Sequence, residues 1–185
     1  MDRPGLGSRI GFRLMAAMMT FTRRGPQLEA RLTASGLAPG QTVVDYGCGP
    51  GFYTLPAARM VGVDGHVYAA DLQPAAAELV RRRVRRAGLD NVTAITTDRR
   101  LDLDDGSVDI VLLYDAIAGI ADKRGVLAEL ARVLKSDGVL SVWVEHGAPE
   151  DTLPYVTDNS DFVLQERVDD VANFRLPAGG IGRPA

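Results

Sequence analysis

Val43-Val44-Asp45-Tyr46-Gly47-Cys48-Gly49-Pro50-Gly51-Phe52-Tyr53-Thr54 decides how the rest of the chain is read. Apolar β-branched residues run into an acid, and three glycines follow at alternate positions. This pattern is a buried strand, a tight loop and the start of a helix, with glycine supplying backbone conformations closed to other residues. A loop of this kind brings main-chain groups up to a small ligand.

Outward from this stretch, strands and helices alternate. A short helix is predicted over 55–61, with Pro56 in its first turn, where a missing N–H costs little. Residues 66–71 form a second strand ending in an acid. Pro74 opens a helix that runs to about Arg86 and stops at Gly88. Residues 91–96 read as a third strand. Residues 108–114 contain Ile110-Val111-Leu112-Leu113, the continuous apolar run of a strand buried on both faces. Val126, Leu127, Leu130, Val133 and Leu134 have helical spacing, and Asp137-Gly138 ends that helix. Residues 139–144 are a fifth strand, and 149–158 suit a short helix. Residues 162–165 and 173–176 read as a hairpin turning near Asp169-Asp170. Upstream, Pro39-Gly40 makes a turn. Gly25-Pro26 opens a helix marked by Leu28, Leu32 and Leu37 and capped by Gly36. Phe12, Met15, Met18 and Met19 predict an amphipathic helix over 9–21, not a signal peptide, because Arg13 and Arg23-Arg24 bound the apolar run.

Repeated alternation implies one α/β domain, a mostly parallel sheet with helices on both faces. The 185 residues suit a single domain. With 46% hydrophobic and 24% charged residues the composition is that of a soluble globular protein. The net charge of −3 argues against a polyanion as the main partner. Cys48 is the only cysteine, so an internal disulfide and a cysteine-held zinc site are excluded, no metal is expected, and a reducing cytoplasm is the expected compartment. No run reaches the roughly 20 apolar residues that span a bilayer, so no membrane partner is expected.

In such sheets the ligand lies beyond the C-terminal ends of the strands. The site candidates are therefore Asp45, Tyr46, Gly47, Cys48, Gly49 and Gly51, then Asp71 with Leu72, Asp98 with Arg99, Tyr114-Asp115, and Glu145-His146. The glycine spacing departs from the dinucleotide fingerprint: Phe52 stands where the third glycine belongs, and Pro50 has no N–H to offer a pyrophosphate. Asp45 would repel phosphate as well. An acid beside a glycine loop suits a ligand with positive charge and an amino group, such as S-adenosylmethionine. Asp71, about 20 residues past the glycines, can accept from both ribose hydroxyls. Asp98 can accept from the adenine amino group.

Val43–Gly51 resembles the first motif of class I S-adenosylmethionine-dependent methyltransferases, and Tyr68-Ala69-Ala70-Asp71 the second. Residues 103–112 and 130–140 are similar to the family's fourth- and fifth-strand blocks. The resemblance implies a Rossmann-like three-layer sandwich: a seven-stranded sheet in the order 3-2-1-4-5-7-6, strand 7 antiparallel, with the N-terminal helices as a lid. It divides the domain at 1–177 into a lid (1–37), a cofactor-binding core (38–146) and a C-terminal helix and hairpin (147–177), with a flexible tail at 178–185. It also implies Asp45 and the glycines at the methionine end, Asp71 on ribose, Asp98 near adenine and Asp115 near the reactive methyl.

Asp115, Glu145 and His146 are the candidates for a general base, His146 because histidine as a residue type has a reference pKa near neutrality. Many small relatives carry a histidine shortly after the fourth-strand acid, where Ala118 and Gly119 stand here. Cys48 reads as a small loop residue rather than a nucleophile. Tyr46 and Tyr53 either line the site or pack the loop. Arg81, Arg82, Arg83, Arg85 and Arg86 read as a solvated face suited to the helix dipole, with RNA binding the sharper alternative. The expected activity is methyl transfer to an oxygen, nitrogen or sulfur nucleophile of a small molecule. A nucleic-acid acceptor and a cofactor-binding module without turnover are the alternatives.

Overall fold

Val43 and Val44 are fully buried on opposite faces of one strand, so the sheet they belong to must be covered on both sides. The computed structural model of the protein describes residues 25–143 and 149–177. Its elements are α1 (Gly25–Ala34), β1 (Thr42–Tyr46), α2 (Thr54–Val61), β2 (His66–Asp71), α3 (Pro74–Ala87), β3 (Val92–Thr96) and β4 (Val108–Tyr114). A 3₁₀ turn (Ile117–Gly119), α4 (Lys123–Val133), β5 (Leu134–Trp143), α5 (Pro149–Thr157), β6 (Val163–Val168) and β7 (Val171–Arg175) complete them. The seven strands form one sheet in the order β3-β2-β1-β4-β5-β7-β6. β1 to β5 pair in parallel, and β7 runs antiparallel to both β5 and β6. The expected order and direction are those observed.

One face packs Val44, Val111 and Leu113 against Val126, Leu127 and Leu130 of α4 and Val156 of α5. The other packs Val43, Val67, Ile110 and Leu112 against Leu28 and Leu32 of α1 and Ala57, Ala58 and Val61 of α2. α3 joins this second face through Val80 and Val84 over Ala69 and Cys48. Leu32 is completely buried, which contributes about 1.5–3 kcal/mol. The expected lid helix that starts at Gly25 is thus built into the core. Gly36, at φ 81, caps it as predicted, with the Leu37 N–H reaching back to the Leu32 carbonyl. The predicted helix over 9–21, Val144 and the tail 178–185 lie outside the described residues.

Boundaries differ from expectation at α4, at β5 and in the hairpin, whose strands are Val163–Val168 and Val171–Arg175. α4 starts at Lys123 because Asp122 caps it, accepting from the Gly125 N–H at 2.9 Å. β5 starts at Leu134, directly after the helix, and not at Val139. Val108 pairs with Leu134 but Ile110 with Val139, so Lys135 to Gly138 bulge out of the strand. Asp137-Gly138 is that bulge, not a helix stop.

Candidate active site

A cavity of about 800 Å³ opens at the C-terminal ends of the parallel strands. Asp45, Tyr46, Gly47, Cys48, Gly49, Asp71, Leu72, Asp98, Arg99, Tyr114 and Asp115 all line it. Gly51 does not. A Cβ on Gly51 would meet Val80 at 3.1 Å and Leu55 at 3.3 Å, so this glycine lets α3 and α2 approach the loop and does not face the cavity. Glu145 and His146 lie outside the described residues.

The loop accounts for every N–H it has. Gly47 and Cys48 both donate to the Ala70 carbonyl, at 2.8 and 3.0 Å. The Gly49 N–H donates to Asp71 Oδ2 at 2.8 Å, and the Gly51 N–H to the Cys48 carbonyl at 2.9 Å. Pro50 has none. Among residues 47–51 no N–H remains for a phosphate, which argues against the dinucleotide reading. The acids that face the cavity point instead to a cation.

Asp45 is 2% exposed, and its Oδ2 accepts from the Thr54 hydroxyl at 2.5 Å, so the strand end and the start of α2 fix its carboxylate. Asp71 accepts a second N–H, that of Gln73, through Oδ1 at 2.8 Å. One carboxylate therefore shapes both the glycine loop and the entry to α3, and each oxygen keeps a further lone pair for a ligand. Leu72 beside it is 64% exposed at the cavity edge. The Tyr46 hydroxyl donates to the Asp98 carbonyl at 3.1 Å, tying the ends of β1 and β3 together. Burial first, then the charges of Asp98, Glu129 and Asp71, pushes the Tyr46 phenol up to about 12, so it stays a neutral donor. Burial, reinforced by Asp45 and Asp71, pushes the Cys48 thiol well up, which removes it as a nucleophile. Tyr46 and Tyr53 both line the cavity.

At the far end, Arg99 pairs with Asp122 at 3.5 Å across the cavity rim. Asp115 follows β4 at φ 57, a left-handed conformation uncommon outside glycine, and its N–H donates to the Trp143 carbonyl at 2.7 Å. That backbone turn sets Asp115 in the wall beside Tyr114. Tyr53 packs edge-on against Tyr114, with ring centroids 4.7 Å apart. Sequence reasoning missed the wall formed by Ala116, Gly119, Ile120, Ala121 and Asp122. Only the capping aspartate before α4 could have signalled it. Among the described residues no group of three or more His, Cys, Asp or Glu could hold a metal, and no helix is long and apolar enough to cross a membrane.

The residues fit S-adenosylmethionine: carboxylates at or just past three successive strand ends suit its ammonium, sulfonium and ribose hydroxyls, and the cavity has room for a nucleoside with an amino-acid arm. Comparison with known proteins agrees. Residues 43–138, just over half of the chain, match the family model described as a methyltransferase domain. A ubiquinone/menaquinone biosynthesis C-methyltransferase of Vibrio vulnificus is 34% identical over 146 residues, covering 77% of this chain and 56% of that protein. The chain thus spans about half the length of that relative. The structure of an S-adenosylmethionine-dependent methyltransferase from Aquifex aeolicus is 26% identical, covers 80% of this chain and 87% of its own, and has a TM-score of 0.70. A putative methyltransferase of Methanococcus maripaludis shares the fold across 95% of both chains, with a TM-score of 0.72 at 16% identity. On these grounds the chain belongs to the methyltransferase domain family, the class I enzymes whose cofactor is S-adenosylmethionine.

Proposed function

We propose that the protein transfers a methyl group from S-adenosylmethionine to a small-molecule nucleophile in the cytoplasm. The observation that carries the reading is the self-satisfied glycine loop flanked by Asp45, Asp71 and Asp98 along one cavity. Bound there, the cofactor supplies an electrophilic methyl on a sulfonium, open to in-line displacement. Asp45 and the loop hold the methionine end, Asp71 accepts from the ribose hydroxyls, and Asp98 with Arg99 frames the adenine. Asp115 and Tyr114 border the acceptor, where alignment and exclusion of water do most of the work. A base is needed only where the nucleophile must lose a proton, and Asp115, Glu145 and His146 are the candidates.

The acceptor atom is proposed as oxygen, nitrogen or sulfur. Because the Vibrio relative is named a C-methyltransferase, activated carbon belongs in the same screen. RNA is the weaker acceptor: Arg81 and Arg83 of the basic run donate to the carbonyls of Ala94 and Pro50, at 2.8 and 2.7 Å. Calorimetry with S-adenosylmethionine and S-adenosylhomocysteine tests the reading, and folded protein that binds neither would sink it. A second reading, cofactor binding without turnover, is favoured by the lack of histidine or lysine among the described cavity residues. Binding without methyl transfer across a broad acceptor panel would establish it.

A further inference from the structure

Five arginines crowd the second half of α3, and one of them differs from the rest. Arg81, Arg82, Arg85 and Arg86 are exposed, whereas Arg83 is partly buried. Arg83 Nη1 donates to the Pro50 carbonyl at 2.7 Å, and its guanidinium lies 5.2 Å from the centre of the Phe52 ring. Pro50 and Phe52 both line the cavity. Val80, one turn earlier on the same face of the helix, is fully buried and lies under Gly51. α3 therefore backs three consecutive loop residues. The Pro50 carbonyl is the only hydrogen-bonding group that residue's backbone has, so the bond from Arg83 fixes how the loop apex is turned. A charged donor on a carbonyl, half sheltered from water, is stronger than a neutral one.

We infer that Arg83 is a positioning residue for the amino-acid arm of the cofactor, acting through Pro50 and Phe52. The inference rests on the S-adenosylmethionine reading of the cavity. It also divides the arginine run: Arg83 serves the site from behind, while Arg82, Arg85 and Arg86 remain a solvated face at the helix C-terminus. The ribose and adenine contacts lie elsewhere, at Asp71 and at Asp98 with Arg99. Loss of Arg83 is therefore felt by one part of the ligand and not by the whole of it.

The test is calorimetry on the wild type, Arg83→Met and Arg83→Lys, with three ligands. S-adenosylmethionine and S-adenosylhomocysteine carry the amino-acid arm, and 5′-methylthioadenosine lacks it. Arg83→Met is expected to bind the first two about tenfold more weakly, the size of one charge-assisted hydrogen bond. Its affinity for 5′-methylthioadenosine should stay within about twofold, as for independent sites. Arg83→Lys, which keeps a charged donor, should recover part of the loss. An unchanged affinity for S-adenosylmethionine overturns the inference, and so does an equal loss for all three ligands, because that marks a general structural role. Arg83→Gln reads the same contrast if Arg83→Met does not fold, and failure of both to fold likewise overturns it. A wild type that binds none of the three ligands is a separate result: it removes the cofactor reading itself, and the inference with it.

Discussion

A Cβ placed on Gly47 would lie 2.5 Å from the Cβ of Ala116. The glycine loop and the segment after β4 thus touch at the cavity wall, with no room for a methyl group between them. Gly47 also sits at φ 77, where a side chain is strained. Gly47→Ala is expected to cost about 1–3 kcal/mol of stability by overpacking and to abolish cofactor binding. Adding Ala116→Gly relieves the clash but not the backbone conformation, so the double variant should regain only part of the lost melting temperature. A wild-type melting temperature in Gly47→Ala would show that the contact yields easily.

Asp71 has two kinds of duty, and two substitutions separate them. Asp71→Asn keeps one oxygen acceptor and loses the charge. Cofactor affinity should drop by about 1–3 kcal/mol, with some loss of melting temperature, because the amide NH2 leaves one of the Gly49 and Gln73 N–H groups without its acceptor. Asp71→Ala should lose at least as much affinity, and also stability, because the N–H groups of Gly49 and Gln73 lose their acceptor. Calorimetry and thermal unfolding on both variants check this. A wild-type melting temperature in Asp71→Ala would mean that water replaces the carboxylate without cost.

Glu129 predicts an acid-sensitive segment after β3. It accepts from Arg132 at 2.7 and 2.9 Å and from the Leu101 N–H at 2.9 Å. The Arg132 hydrogen bonds, and then the Leu101 N–H, hold its pKa below the ordinary 4.5. The folded state releases this proton more readily than the unfolded chain, so the contribution to stability is present above about pH 4.5 and is lost as pH falls through the folded pKa. The melting temperature should decline as pH falls below about 4.5. Glu129→Gln should start lower near neutrality and fall less steeply. Parallel pH profiles would rule this role out.

Arg31 joins α1 to three other elements. Its guanidinium lies 3.8 Å over the Trp143 ring, donates to the Tyr53 hydroxyl at 3.1 Å and pairs with Asp170 of the β6–β7 turn at 2.5 Å. Arg31→Met should cost about 1–2 kcal/mol, mostly from the lost stacking and the partly sheltered ion pair. Trp143 is the only tryptophan, so its fluorescence reports the contact directly. An emission spectrum identical to wild type would mean that the stack does not persist in solution.

The sheet was legible because its strands announce themselves by burial. Ile110 to Leu113 can only be a strand covered on both faces, and the acids at Asp45 and Asp71 mark where strands end. The start of α4 was not legible, since apolar periodicity begins only at Val126 while the cap is Asp122. The start of β5 is hidden in the sequence because Asp-Gly serves equally as a helix stop and as a bulge. Within the site, titratable residues stood out by type, whereas the wall at Ala116, Ile120 and Ala121 carries no chemical mark. Gly51 shows the limit of spacing alone. A glycine that faces a ligand and one that admits a neighbouring helix look the same in a sequence, and only the position of Val80 tells them apart.

The loop from Gly47 to Gly51 has spent all its N–H groups internally. Its shape is consequently complete before any cofactor arrives, and association need not freeze a mobile segment. Little conformational entropy is lost at the moment of capture, and affinity resides in how slowly the ligand escapes. Substitutions that disturb the loop or its supports should therefore leave the association rate nearly unchanged and shorten the residence time of the bound cofactor.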